Sequence, residues 1–254
     1  MLSKNTIKYI QSLRLKKFRQ KYRNFVVEGE KMALEILQST ELELEGLYAL
    51  PEWLEKYKSH LVDAPSKIHS LTTKDLARIS SLKTPNKVIV ICKKPTYSLK
   101  VPLLNNSLTL FLDGIQDPGN MGSILRISDW FGLPYVFCSS GCVDIYNPKV
   151  VQSSMGAFLR VKSIPMEIAE LKKQCPELPV LAAVLGGRNV FTTKLPKNGL
   201  LVIGNEGSGI SAVVRSVANY EITIPQGQQG GAESLNAAVA TGILCSALIN
   251  RSEK

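Results

Sequence analysis

From Leu108 onward, short apolar runs alternate with segments of helical spacing, and this alternation limits the fold more than any other feature of the sequence. The strand candidates are Leu108–Leu112, Tyr135–Cys138, Leu159–Ile164, Val180–Leu185, Leu200–Ile203 and Glu221–Ile224, with helical patterns between most of them. Strands that are apolar on both sides are buried on both faces, and helical crossovers between them build a largely parallel sheet. The second half is therefore expected to be an α/β domain. Ligands of such sheets gather at the carboxyl ends of the strands, so the loops that leave these runs are the places to look for function.

Residues 1–95 read as a smaller α/β unit. Ile7, Ile10 and Leu13 recur at helical spacing, and Phe25–Gly29 reads as a strand leading into a helix with Met32, Leu34, Ile36 and Leu37. Gly46–Leu50, Lys67–Leu71 and Val88–Ile91 are further strands, with a helix opened by Pro51 and another over Thr73–Ile79. Lys93–Ser107, with Pro95, Pro102, Asn105 and Asn106, has linker composition. The expected division is a domain over 1–95, a linker over 96–107 and a second domain over 108–254.

Lys and Arg number 31 against 21 Asp and Glu, a net charge of +10. The excess is concentrated in residues 1–31, where Lys4, Lys8, Arg14, Lys16, Lys17, Arg19, Lys21, Arg23 and Lys31 face only Glu28 and Glu30. Phe18, Tyr22 and Phe25 are interleaved with them. Cations meet phosphates and ring faces stack on unpaired bases, so this composition suits RNA. A solvated helix face whose aromatics pack on their own domain stays open as the alternative. An anionic membrane is less favoured, because no large apolar face accompanies the charge. The longest apolar run, Ala237–Ile249, is too short to span a bilayer and is broken by Thr241 and Ser246. The basic amino terminus does not read as an export signal. Five cysteines without a Cys-x-x-Cys pair read as reduced, buried thiols of a cytoplasmic protein. With only His60 and His69 present, neither a histidine base nor a metal centre is expected.

Three loops carry the chemistry. Asp113–Arg126 leaves a strand, turns at Pro118-Gly119 and opens a helix with Asn120 as N-cap; Met121, Ile124, Leu125, Ser128 and Phe131 form its inward stripe and Arg126 lies off it. Gly122 leaves room for that guanidinium to lean back over the loop. The second loop follows Leu201-Val202-Ile203 with Gly204-Asn-Glu206-Gly207-Ser-Gly209. It lacks the Lys-Ser/Thr of a P-loop and the dinucleotide spacing, and Glu206 would repel phosphate. The third runs from Ile224-Pro225 through a Gln/Gly-rich stretch to Glu233-Ser234-Leu235-Asn236, with Ser234 able to cap the last helix. Along that helix Ala238, Gly242 and Ser246 form a small-residue ridge. An ordinary surface arginine, a tight turn and a buried Ala-rich helix account for each loop taken singly.

Taken together, the loops resemble the three signature motifs of the SpoU/TrmH family of RNA 2′-O-ribose methyltransferases in the SPOUT superfamily. The matching residues are Asp117-Pro-x-Asn120-x-Gly122 with Arg126, Gly204-x-Glu206-Gly207-x-Gly209, and Ile224-Pro225 with Ser234-Leu235-Asn236 and Val239-Ala240. Asn147-Pro-Lys149 and Ser154-Met-Gly-Ala157 are also similar to family segments. The likeness covers residues 108–249. It implies a carboxyl-terminal trefoil knot, a homodimer formed through the knotted domains, and a first half resembling the family's ribosomal-protein-like RNA-binding domain. It further implies S-adenosylmethionine as cofactor, with Gly204, Ile224 and Leu235 at cofactor-contacting positions. Asn120, Arg126, Glu206, Ser234 and Asn236 fall on active-site positions, and no metal is implied. The sequence departs from the pattern at Gln226–Glu233, which is longer than usual and leaves the cofactor loop looser, and at Ala237-Ala238, where Val-Ser is common.

The resemblance implies methylation of a ribose 2′-hydroxyl in ribosomal or transfer RNA. A catalytically inactive RNA-binding or ribosome-assembly factor is the alternative on the same fold. A generic nucleotide-binding protein is disfavoured by the missing P-loop and by Glu206.

Overall fold

The computed structural model of the chain describes residues 2–61 and 65–250, so the outermost bounds of the expected domains, 1 and 254, lie outside the described residues. Through the first half the elements are α1 (Lys4–Ser12), α2 (Lys16–Tyr22), β1 (Asn24–Glu28), α3 (Glu30–Gln38), β2 (Leu44–Ala49), α4 (Pro51–Lys56), β3 (Ile68–Ser70), α5 (Thr73–Ile79) and β4 (Val88–Lys93). There follow α6 (Val101–Leu104), β5 (Leu108–Asp113), α7 (Pro118–Trp130), β6 (Tyr135–Cys138), α8 (Pro148–Ser153), β7 (Lys162–Pro165) and α9 (Ile168–Gln174). The chain continues with β8 (Val180–Asn189), β9 (Gly199–Gly204), α10 (Ala212–Arg215), β10 (Tyr220–Thr223) and α11 (Ala237–Ile249). These elements form two compact units. One combines the chain up to Thr96 with Asp144–Leu159; the other combines Tyr97–Val143 with the chain from Arg160 on.

In the first unit the sheet order is β1-β4-β2-β3. The strand β4 is antiparallel to both β1 and β2, and β3 runs parallel to β2. Val88–Cys92 is buried throughout, as a central strand with an unbroken apolar run must be. Ile7, Ile10 and Leu13 pack with Leu76 and Ile79 of α5 in one core, which explains their helical spacing. Ser3 caps α1 and Thr72 caps α5, each accepting a backbone N–H with its hydroxyl. Unlike the sequence reading, the structure places Asp144–Leu159 here, with α8 against β1 and Phe158 edge-on to Phe25.

Two buried polar clusters hold this unit. Glu28 accepts hydrogen bonds from the Ser80 and Ser81 hydroxyls and from the Ser81 N–H. Arg19 is 1% exposed; it donates to the Leu13 and Arg14 carbonyls at 2.8 Å and to Asp144 Oδ2 at 2.7 Å. Burial works to raise the Asp144 pKa, but Lys94 and Arg19 outweigh it and hold the carboxyl below its usual range. Arg19, counted among the RNA-facing cations above, is therefore committed to the interior. Phe25 is buried as well, while Phe18 and Tyr22 stack on each other with Lys17 and Lys21 over their rings. Packing on its own domain describes Phe25, whereas Phe18 is half-buried and Tyr22 40% exposed; Lys16, Lys17 and Lys21 remain exposed cations.

The second unit holds a six-stranded sheet in the order β10-β8-β9-β5-β6-β7, parallel at every pairing. The expected strand over 159–164 begins later, at Lys162, because Ala157–Leu159 closes as a 3₁₀ turn. Residues 97–104, of linker composition, are packed: Leu104 is fully buried, with Tyr97, Leu99 and Val101 against the same core. Helices α7 and α11 lie together. A Cβ at Gly242 would stand 3.7 Å from Ile127 Cδ1, so this member of the small-residue ridge faces α7 of its own chain.

Candidate active site

Strands β5 and β9 are neighbours, in register from Leu108↔Gly199 to Asp113↔Gly204. From β5 the chain moves to β6 on one side; from β9 it moves to β10 on the other. The two loops part above a shared carboxyl edge, which is the crevice where parallel sheets take their ligands.

The first loop is anchored by Asp117, whose carboxylate accepts the Asn120 N–H at 2.7 Å and caps α7. Asn120 is therefore not the N-cap expected from sequence. Pro118 decides between the two, because proline fits the first helical position, where no N–H is needed. Released from capping, the Asn120 amide donates from Nδ2 to Glu206 Oε1 at 2.8 Å and accepts at Oδ1 from Asn236 Nδ2 at 2.8 Å.

Asn236 is the N-cap of α11, accepting from the Ala238 and Val239 N–H groups at 2.9 and 3.3 Å. Ser234, expected in that role, stands two residues too early and is exposed. The two ends of this run fix both amide orientations. Helix N–H groups require the Asn236 oxygen, and a carboxylate requires the Asn120 nitrogen. Three loops far apart in sequence are thus joined by side-chain bonds.

The second loop is a turn that only glycine permits at its start. A Cβ on Gly204 would lie 2.4 Å from the Gly209 carbonyl carbon. Asn205 and Gly209 exchange backbone hydrogen bonds at 2.9 and 3.0 Å, and Gly209 adopts φ +70°. The Asn205 side chain spans the turn, accepting from the Gly207 and Ser208 N–H groups and donating to the Gly114 carbonyl at 2.7 Å. Asp113 Oδ2 accepts the Ser211 N–H at 2.7 Å. Sequence reasoning missed both residues. An asparagine opening a Gly-rich turn was the available signal for the first; Asp113 carries none beyond its place at a strand end.

The other expected residues are placed as follows. Arg126 is exposed on α7 and, among the described residues, its guanidinium has no hydrogen-bond or ion-pair partner. Neither Arg126 nor Ser234 joins the Asn236–Asn120–Glu206 run. Gly204 ends β9, Ile224 follows β10 half-buried, and Leu235 is 48% exposed beside Asn236. The Gln/Gly-rich loop is exposed and turns on itself, Gln226 Nε2 donating to the Ala232 carbonyl at 2.9 Å. Beside the first loop, Ser139 Oγ accepts the Gly114 N–H at 3.0 Å. A hydrogen bond from Cys138, working against burial, lowers the neighbouring Cys142 thiol to about 7.

Residues 107–246 match the SpoU rRNA Methylase family, and residues 4–90 match the MRM3-like substrate binding domain. The 23S rRNA (guanosine(2553)-2′-O)-methyltransferase RlmP of Bacillus subtilis is 27% identical over 245 residues, covering 94% of this chain and 93% of the relative. The structure of a Porphyromonas gingivalis protein assigned to the TrmH family of RNA methyltransferases superposes with TM-score 0.86 at 38% identity, covering 99% of this chain and all of the other. An AdoMet-bound rRNA methyltransferase from Sinorhizobium meliloti gives TM-score 0.85 at 25% identity over 98% of this chain and 95% of its own. The family match spans more than half of the sequence and includes every loop that meets at the crevice: this chain belongs to the SpoU rRNA methylase family.

Proposed function

We propose that the chain transfers the methyl group of S-adenosylmethionine to a ribose 2′-hydroxyl of structured RNA, ribosomal or transfer. The observation that carries this reading is the Asn236–Asn120–Glu206 run, which binds three family loops together at one sheet edge. The residues there suit such a cofactor. The Gly204–Gly209 turn offers backbone for close approach, Leu235 an exposed apolar surface, and Glu206 a carboxylate compatible with a cation rather than a polyphosphate. Gly204, Ile224 and Leu235 would hold it.

When bound, S-adenosylmethionine supplies a methyl carbon made electrophilic by its sulfonium. The chain's task is to align the hydroxyl with that carbon, and alignment of two reactants is worth about 7–11 kcal/mol. Arginine hardly deprotonates, so Arg126 would hold the adjoining phosphate and stabilise developing alkoxide charge, while the hydroxyl proton passes to solvent as the C–S bond breaks and the C–O bond forms. Asn120 and Asn236 orient the substrate. Glu206 meets Asn120 at Oε1 and, at 3.5 Å, Asn205 at Oε2, and Ser234 shapes the same rim.

The first unit is the RNA-binding part in this reading, through Lys16, Lys17 and Lys21. The match to a substrate binding domain over residues 4–90 supports it. The limits 1–95 and 108–254 stay in the proposal as a division of function, whereas the compact units add Asp144–Leu159 to the first and Tyr97–Ser107 to the second. The trefoil knot, a cytoplasmic location and a homodimer are also part of the proposal. The dimer draws support from exposed Trp130, Val239 and Ile249 on α7 and α11; sedimentation equilibrium at twice the monomer mass is the expected result. No described helix is long and apolar enough to cross a membrane.

The test is incubation of the purified chain with methyl-labelled S-adenosylmethionine and ribosomal or transfer RNA, followed by nucleoside mass spectrometry. A 2′-O-methylated nucleoside is expected. A base-methylated product, or binding of RNA and cofactor without transfer, refutes the assignment, and the latter favours the inactive-factor alternative.

A further inference from the structure

Resting on that reading, we infer that Asn205 is a positioning residue for the reaction, acting on Glu206 through the turn that carries it. Glu206 is exposed, and its own side chain does nothing to fix its backbone. Its two chain neighbours do. The Asn205 Oδ1 accepts from Gly207 N at 2.9 Å and Ser208 N at 3.0 Å, so the side chain closes a ring around the Glu206 backbone. Its Nδ2 donates to the Gly114 carbonyl at 2.7 Å, pinning that ring to the first loop. Gly114 is held in turn by Ser139 Oγ and adopts φ +76°, with the Asn205 Cβ 3.6 Å from where its own Cβ would be. Farther along, the Ser211 N–H on Asp113 ties the exit of the same loop to the residue beside Gly114. Two clamps from one loop to two adjacent residues leave Glu206 little freedom except at its side-chain torsions, which Asn120 takes up at Oε1 while Asn205 Nδ2 reaches Oε2 at 3.5 Å. Asn205 touches neither substrate nor reacting atoms in this scheme; its effect passes through Glu206.

The side chain's two functions separate by substitution. Asn205→Asp keeps an acceptor for Gly207 and Ser208 but cannot donate to Gly114 or Glu206 Oε2 and sets a second carboxylate beside Glu206; Asn205→Ser, which adds no charge, separates that repulsion from the lost clamp and should slow transfer as well. Methyl transfer should fall about 10- to 100-fold in kcat, with KM for RNA changed less than about threefold. In a double-mutant cycle, adding Asn205→Asp to Glu206→Ala should cost less than about twofold further, because the residue it positions is already gone. A second readout needs no substrate. Hydrogen exchange of the Asn120 side-chain amide, followed by NMR, should quicken in Asn205→Asp as its acceptor is released. Asn205→Ser, which also lacks reach to Gly114, repeats the measurement should the aspartate variant fold poorly. Multiplying effects in the cycle, or an Asn120 amide that exchanges as in the wild type, overturns the inference. A wild-type chain that transfers no methyl group overturns the functional reading instead, and the exchange measurement then decides on Asn205 alone.

Discussion

The two units use polar side chains in opposite ways. In the first, the hydrogen-bonded charges lie inside: Arg19 is 1% exposed and Glu28 5%, each satisfied by several partners. In the second, the bonded side chains Asn120, Glu206 and Asn236 lie half-buried to exposed at the edge of the sheet. Buried polar groups must be paired or they destabilise the fold, so the first set is explained by folding alone. Exposed pairs contribute little to stability, since water would serve each group almost as well. Folding accounts for Asn236, the cap of α11, but not for the alignment of Asn120 and Glu206 with it. The proposed reaction geometry would.

The contrast can be broken most directly at Arg19. Arg19→Ala leaves Asp144 with Lys94 and the Tyr146 N–H but takes the donor from two backbone carbonyls, and should lower unfolding free energy in urea by about 2–4 kcal/mol. The same pair has a signature in pH. A carboxyl held below its usual value stabilises the fold above about pH 3.9 and loses that contribution as pH falls through its depressed native value. Asp144→Asn should flatten this acid limb of the stability curve; an unchanged limb contradicts the pairing.

On the other side of the contrast, Arg126→Ala should leave unfolding and S-adenosylmethionine affinity as they are while slowing transfer by about 10²–10³-fold. Calorimetry and single-turnover kinetics measure the two, and unchanged turnover removes Arg126 from the reaction. A finer division runs through the loop set itself. Asn236→Ala removes a helix cap and should cost about 1 kcal/mol of stability, whereas Asn120→Ala should stay within roughly 0.5 kcal/mol. Equal losses would mean that the run is structural after all. Smallest in energy, replacing Lys16, Lys17 and Lys21 with Ala should reduce the salt slope of RNA binding by about one unit per lost phosphate contact. An unaltered slope takes α2 out of the RNA surface.

What the sequence disclosed was local. Tyr135–Cys138 and Val88–Ile91 are strands where apolar runs predict them, and the three Gly-rich loops do leave strand ends. The caps were only half legible. Asp117 and Asn120, or Ser234 and Asn236, are all good cap formers, and the choice turns on where the first helical N–H falls. In one case Pro118 encoded the answer; in the other only the fold supplied it. Arg19 was misread because an isolated arginine is normally a surface residue, and its partner Asp144 lies 125 positions away. The same distance hides the placement of Asp144–Leu159 with the first unit. Strand order is equally non-local: that β5 and β9 are neighbours follows from no spacing, yet their adjacency creates the crevice.

A crystal structure of the chain with S-adenosylhomocysteine and a short RNA tests most directly whether these loops form one reaction site. The account predicts the sulfur within contact distance of a ribose 2′-oxygen, bordered by Asn120, Glu206 and Asn236, with Gly204, Ile224 and Leu235 against the nucleoside. Cofactor density away from the β5–β9 edge, or a ribose that approaches from another face of the sheet, would contradict it.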